Sequence, residues 1–252
     1  MIPYFVFDQF QIGHLTIYTW GLIVGLGFTT GYFLMLYLAK KQKLPLGKII
    51  GLALVVFASS ILGARLFYLL QTPRQFLADV SLLWSSNGGA IFLGGLLGAV
   101  FFGWLYVKWV KLDFWQIADL TILPLCLGIG IGRIGCFLIN DHIGSVTNLP
   151  WGILWPDGIT RHPVALYELL AGFLFFLIFW FLRQKFQKPG QLFLLFLASY
   201  SAVRFLLDFT RESQGYLIDI HFWQLSINQW LSIFLFLVAF FLWQKKKNPI
   251  VK

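Results

Sequence analysis

The chain has 252 residues, of which 59% are hydrophobic and 12% charged, with 28 Phe, 11 Trp and a formal net charge of +9. That composition excludes a water-soluble or disordered chain and selects an all-α polytopic membrane protein, organised as one helical domain over residues 1–252. The positive balance alone would suit nucleic acid, but the placement of the lysines excludes that partner.

Seven apolar segments follow in order: Leu15–Ala39, Lys48–Leu70, Gly89–Val107, Phe114–Ile139, Pro163–Leu182, Gln191–Phe209 and Phe222–Trp243. Lys40, Lys41 and Lys43 lie between the first two with Lys48 at the start of the second, Lys108 and Lys111 after the third, and Arg183, Lys185 and Lys188 after the fifth. Lys245, Lys246, Lys247 and Lys252 follow the seventh. The positive-inside rule makes this side cytoplasmic, which puts the N-terminus outside and gives seven transmembrane helices with interfacial segments on the outer face. The basic tail then contacts anionic membrane lipids. The other basic residues are all arginine: Arg65, Arg74, Arg133, Arg161, Arg204 and Arg211. A guanidinium stays charged, binds phosphate bidentately and is weakly hydrated, so this pattern suits a partly dry site for a phosphate-bearing ligand.

Met1–Gly13 has no basic n-region and reads as an aromatic lead-in at the outer interface before a retained first span. In that span Gly21, Gly25, Gly27 and Gly31 provide small-residue spacings for close helix packing, and Trp20 either anchors the interface or lines a pocket. The second span carries Gly63-Ala64-Arg65; the linker Gln71–Ser86 has room for an interfacial helix. Asn87–Gly98 then opens the third span with two glycine pairs, at 88–89 and 94–95.

The fourth span holds Asp119, a kinking Pro124, Cys126, Cys136 and glycines at 128, 130, 132 and 135 around Arg133. A charge at that depth costs about 2.5–3.5 kcal/mol, so Arg133 either faces an anionic partner inside the protein or snorkels to the interface. The cysteines, roughly 15 Å apart along a helix, cannot bridge each other, and no ligand spacing suggests a metal. Asn140-Asp141-His142 and an outer loop lead to Arg161-His162-Pro163, with Tyr167-Glu168 inside the fifth span. A carboxylate there needs a cation, and arginines of neighbouring spans are the candidates. Tyr200, Arg204, Asp208 and Arg211 share one face of the sixth span, where Arg204 and Asp208 are spaced to pair.

The order of Gly63-Ala64-Arg65, the double-glycine third span, Gly132-Arg133-Ile134-Gly135 with Gly144 beyond it, Arg161-His162-Pro163 with Tyr167-Glu168, and Tyr200, Arg204, Asp208 and Arg211 resembles the bacterial prolipoprotein diacylglyceryl transferases. The resemblance implies an enzyme of the bacterial inner membrane that moves the diacylglyceryl group of phosphatidylglycerol to the lipobox cysteine of a prolipoprotein, releasing glycerol phosphate. No cofactor or metal is implied. Arg133 and Arg204 would stabilise the phosphate leaving group, with Arg65 and Arg211 in support. Glu168, Asp208 and Asp141 would orient the guanidinia and headgroup, and Tyr167, Trp20 and Gly144 fall in the substrate-binding set.

The chain departs from the family pattern at Leu93, usually histidine; at Cys136, usually asparagine; at Ile139-Asn140-Asp141, usually asparagine-glycine-glutamate; and at Trp20, usually tyrosine. These departures bear on headgroup polarity and on the proton acceptor. His142, beside Asp141, is one candidate base and His162 the family-matched alternative. They also raise a paralogue that binds or moves an anionic phospholipid without transfer, or an enzyme with a different acceptor or donor.

Overall fold

A computed structural model describes residues 1–72, 89, 91–186, 188–212 and 221–247. The expected interfacial helix in Gln71–Ser86 and the first glycine pair therefore lie largely outside the described residues. Seven helices are described: α1 (Thr19–Lys41), α2 (Leu46–Gln71), α3 (Phe92–Trp109), α4 (Phe114–Ile139), α5 (Val164–Leu182), α6 (Gln191–Asp208) and α7 (Ile227–Lys247). Six are long and apolar enough to cross a membrane, and α3 carries a slightly shorter apolar run, Leu93–Trp109. Large apolar side chains point out of these helices, Phe181 at 69% and Phe241 at 65% exposure among them, which water would penalise and lipid solvates. The expected helical membrane protein is what the chain forms.

Two ends differ from the sequence expectation. Leu15–Tyr18, expected to begin the first span, is strand β3, paired antiparallel with β2 (Gln9–Ile12). The last span starts not at Phe222 but at Ile227, after a hairpin of β6 (His221–Phe222) and β7 (Leu225–Ser226). The reason for the second is a capping box: the Ser226 hydroxyl accepts the Gln229 N–H at 3.1 Å, and the Gln229 side-chain oxygen accepts the Ser226 N–H at 2.9 Å.

The chain divides into two compact units, Met1–Met35 with Ala118–Lys252, and Leu36–Ile117. In the smaller unit α2 and α3 pack closely because Gly63, Gly94 and Gly98 have no side chains: a Cβ on Gly98 would lie 2.5 Å from the Ser59 carbonyl oxygen. Arg65 lies in this unit and donates to the Gly89 carbonyl at 3.1 Å.

In the larger unit glycines on α1 and α5 let both helices approach α4. A Cβ on Gly27 would stand 3.2 Å from the Gly128 carbonyl, and one on Gly31 3.1 Å from that of Pro124. A Cβ on Gly172 of α5 would meet the Gly130 nitrogen of α4 at 2.7 Å. Phe175 and Phe179 of α5 pack edge-on to Phe196 of α6, which stacks on Tyr200 at 5.5 Å. Asp119, half-buried on α4, accepts the backbone N–H groups of Gly190 at 2.6 Å and Phe193 at 2.7 Å, capping α6 from a neighbouring helix. These contacts fix α4, α5 and α6 in register, the register that the charged side chains below depend on.

Beyond the helix ends, β1 (Ile2–Pro3) pairs with β4 (Ile153–Leu154), and β4 with β5 (Thr160–Arg161). Bridges from Val146 to Arg161 and from Gly144 to Arg211 extend the pairing to the end of α6. The all-helical expectation therefore holds for the spans, and short strands organise the segments between them.

Candidate active site

The site is built on three helices of the larger unit. Arg133 stands in the second-last turn of α4, Glu168 in the second turn of α5, and Arg204 and Asp208 one turn apart at the end of α6. The Gly130–Gly172 approach brings α5 against α4 one turn from Arg133 and Glu168, and the side chains meet: Arg133 Nε is 2.7 Å from Glu168 Oε2. The other carboxylate oxygen faces Arg204 Nη1 at 3.3 Å, and the same nitrogen is 2.9 Å from Asp208 Oδ1. Glu168 thus bridges two guanidinia, as its place in an apolar run requires, and the expected Arg204–Asp208 pair is present.

Glu168 and Asp208 are buried, with side chains 6% and 4% exposed, whereas those of Arg133 and Arg204 keep 26% and 15%. The paired oxygens of Glu168 and Asp208 lie close to cations, yet none receives an aligned hydrogen bond. Two guanidinia against two carboxylates leave this set neutral, with directional capacity unused on both sides. A half-satisfied buried network of this kind is costly and ready to be re-aimed by a ligand. At the far end the Ser226 hydroxyl donates to Asp208 Oδ2, so the cap of α7 also holds the carboxylate that holds Arg204.

At the near end Arg133 reaches the residues that follow α4. Asn140, at φ 49°, ends the helix in the left-handed region, and its amide donates to the Phe5 carbonyl at 2.8 Å. The turn places His142 over Arg133: Nη1 is 3.0 Å from His142 Nε2 and 3.7 Å from Cys136 Sγ. His142 Nδ1 contacts Asp141 Oδ1. Arginine only donates, so Nε2 accepts, and Nδ1 carries the imidazole proton toward the carboxylate. Among the described residues, Arg133 Nη2 takes part in no hydrogen bond and remains a free donor.

Cys136, Asp141 and His142 offer sulfur, oxygen and nitrogen atoms within 4.8 Å of one another, a donor set of the kind that holds zinc. A guanidinium nitrogen, Arg133 Nη1, stands beside two of the three, so this donor set already faces a cationic group. Both cysteines are free, as their expected separation along α4 requires.

The remaining sequence candidates divide into those near this network and those apart from it. Trp20 lies against Gly135, its Cα 3.5 Å from where a Cβ would be. Gly144 pairs with Arg211, and a Cβ there would collide with the His162 carbonyl oxygen, so only glycine fits. Tyr167 has partners other than Glu168: its hydroxyl accepts from Trp151 Nε1 at 2.9 Å and shares a hydrogen bond with His162 Nδ1 at 3.0 Å. Burial lowers the pKa of His162 from the ordinary 6.5. Arg161 is held by Asp157 at 2.7 Å; the backbone N–H of Ile159, then Arg161, keep that carboxyl below its usual range. Arg65 belongs to the other unit. Sequence reasoning missed Ser226 and the capping role of Asp119; a Ser-x-x-Gln pattern was the available signal for the first, and nothing local signals the second.

The arrangement offers two guanidinia converging on one carboxylate and an imidazole–carboxylate pair on the same α4 end. It can receive a phosphate group and move a proton beside it. A sequence profile described as prolipoprotein diacylglyceryl transferase matches residues 8–245. Among similar curated proteins, one from Bordetella bronchiseptica is 34% identical over 239 residues, 88% of each chain. Another, from Geobacter sulfurreducens, is 34% identical over 239 residues, 91% of each chain. A third, from Legionella pneumophila, is 31% identical over 246 residues, 94% of this chain and 96% of its own. All three are named phosphatidylglycerol–prolipoprotein diacylglyceryl transferase.

Proposed function

The chain belongs to the prolipoprotein diacylglyceryl transferase family, and from that premise we propose that it transfers the diacylglyceryl group of phosphatidylglycerol to the lipobox cysteine thiol of a prolipoprotein. It is an enzyme of lipoprotein maturation, and glycerol phosphate is its second product. The single observation that carries the mechanism is Glu168 shared between Arg133 and Arg204.

Sulfur attacks the glyceryl carbon that bears the phosphate ester oxygen. The carbon–oxygen bond breaks, and its electron pair stays on the phosphate. Negative charge therefore grows on a phosphate oxygen as the reaction proceeds, and positioned donors in a low-dielectric site lower that barrier most. Arg133, through its free Nη2, and Arg204 supply those donors. Glu168 and Asp208 hold the guanidinia in place so that little reorganisation is needed at the moment of transfer. Arg211, Tyr167, Trp20 and Gly144 are assigned to the headgroup and acceptor, Asp141 to orienting the side chains beside Arg133, and the resemblance adds Arg65.

The membrane is the bacterial inner membrane. The N-terminus and the short strands lie outside, where a secreted acceptor arrives, and the lysine-rich turns face the cytoplasm. The test is the purified full-length protein in phosphatidylglycerol vesicles with a lipobox peptide. Mass gain of one diacylglyceryl group on the peptide cysteine is expected. Lipid binding without mass gain would overturn the transferase and leave a lipid-binding paralogue.

A further inference from the structure

We propose that His142 is the base that takes the proton of the acceptor thiol, and that Asp141 is its positioning residue. The inference rests on the transferase reading and names a group for the one step that the arginine clamp cannot perform. A thiol must lose its proton to become the nucleophile, and guanidinia hold no lone pair to accept it.

Among the histidines whose side chains are described, His14, His142 and His162, three observations single out His142. His14 is exposed in the turn of the β2–β3 hairpin. His162 turns Nδ1 to the Tyr167 hydroxyl and makes no contact with Arg133. His142 touches the clamp: Nε2 lies 3.0 Å from Arg133 Nη1, while Nδ1 is bound to Asp141. Asp141 selects the tautomer whose lone pair points at the reacting region, and it stabilises the imidazolium that proton transfer produces.

The lone pair is covered by Arg133. A phosphate oxygen bound at Nη2 that draws the guanidinium off His142 uncovers Nε2, so binding of the donor headgroup and release of the base are one movement. The step then balances. The thiol proton passes to Nε2, the sulfur pair forms the carbon–sulfur bond, and the carbon–oxygen pair leaves with glycerol phosphate. The imidazolium returns its proton to the phosphate monoester or to water. Cys136 Sγ, 3.7 Å from the same nitrogen, is uncovered by that movement too and is given no covalent part in this scheme.

The experiment measures initial rates of peptide mass gain in phosphatidylglycerol vesicles for the full-length protein and for His142→Gln, His142→Gly, Asp141→Asn, His162→Gln and His14→Gln. His142→Gln should lower kcat by about 10²–10⁴-fold with an unchanged KM for phosphatidylglycerol. Added imidazoles should restore His142→Gly, with rates rising with their basicity, a response that a purely structural histidine would not give. Asp141→Asn should lower kcat without raising KM, Asp141→Glu should recover part of it, and His14→Gln should match the parent. An unchanged KM also reports that the variants are folded. Full kcat in His142→Gln, or failure of every imidazole to restore His142→Gly, overturns the assignment while leaving the transferase intact. A loss in His162→Gln that imidazoles repair moves the base to His162. No mass gain by the parent protein overturns the transferase reading, and this assignment with it.

Discussion

Glu168→Gln is the substitution that asks most of the clamp. The carboxylate side chain is 6% exposed and sits 2.7 Å from Arg133 Nε and 3.3 Å from Arg204 Nη1. At those separations and an effective dielectric near 20, each attraction is about 5–6 kcal/mol, and desolvation of the buried ions offsets much of their sum. Breaking a buried pair by removing one partner costs about 3–5 kcal/mol net. Arg204 keeps Asp208, and Arg133 keeps 26% of its side-chain surface, so the lower end applies, about 3 kcal/mol. For a chain of this size that corresponds to a thermal midpoint lower by roughly 6–12 °C, read in detergent by intrinsic tryptophan fluorescence. The charge change has a second effect. A neutral set becomes singly positive, so the anionic donor should bind more tightly while the misaligned guanidinia turn it over more slowly: KM falls and kcat falls with it. A midpoint within about 2 °C of the parent, together with an unchanged kcat, would refute Glu168 as the element that holds both arginines.

Four other outcomes follow. Arg133→Lys retains charge but loses the planar fork, and should lower kcat by about 10²–10³-fold in the vesicle assay. Asp119→Ala removes two short charge-assisted caps from α6 and should cost about 2–3 kcal/mol of stability, with the specific activity of the folded fraction unchanged. Gly172→Ala drives a methyl group into the Gly130 backbone, and should cost about 1–3 kcal/mol and reduce activity through displacement of Glu168. His162 binds fewer protons folded than unfolded below its ordinary pKa of 6.5, so stability should fall as pH drops through that value and level off below the folded pKa. Midpoints of the parent and of His162→Gln between about pH 7 and 5 check the sign, since the variant should be the flatter of the two.

The spans and the charged pairs were legible because both are local consequences of composition. An apolar run long enough to cross a bilayer announces itself, and Arg204 and Asp208 are placed to meet by helical spacing alone. Glu168 announced a need for a cation without saying which, and α4 packing supplied Arg133. The hairpins were not legible. Leu15–Tyr18 is as apolar as the helix it precedes, and only its pairing with Gln9–Ile12 makes it a strand. The β1–β4 pairing joins Ile2 to Ile153, a contact without any local signal. Ser226 and Gln229 did carry a readable helix start, four residues inside the apolar run that obscured it. The Arg133–His142 contact depended on Asn140 adopting the left-handed conformation, which asparagine permits but does not compel.

The glycine contacts imply an unusual map of inactivating mutations. Gly27, Gly31, Gly130 and Gly172 have no functional groups, yet each lies where a methyl group would press on the backbone or side chain of a facing helix at 2.7–3.2 Å. A random screen scored by lipidation should therefore recover two kinds of position. One kind traces the chemistry along Arg133, Glu168 and Arg204; the other traces the closest lines of approach between α1, α4 and α5, and bears no resemblance to a binding site. Second-site suppressors of that other kind should be deletions of bulk on the facing helix, such as Phe173 trimmed opposite an alanine at position 130, rather than changes of charge.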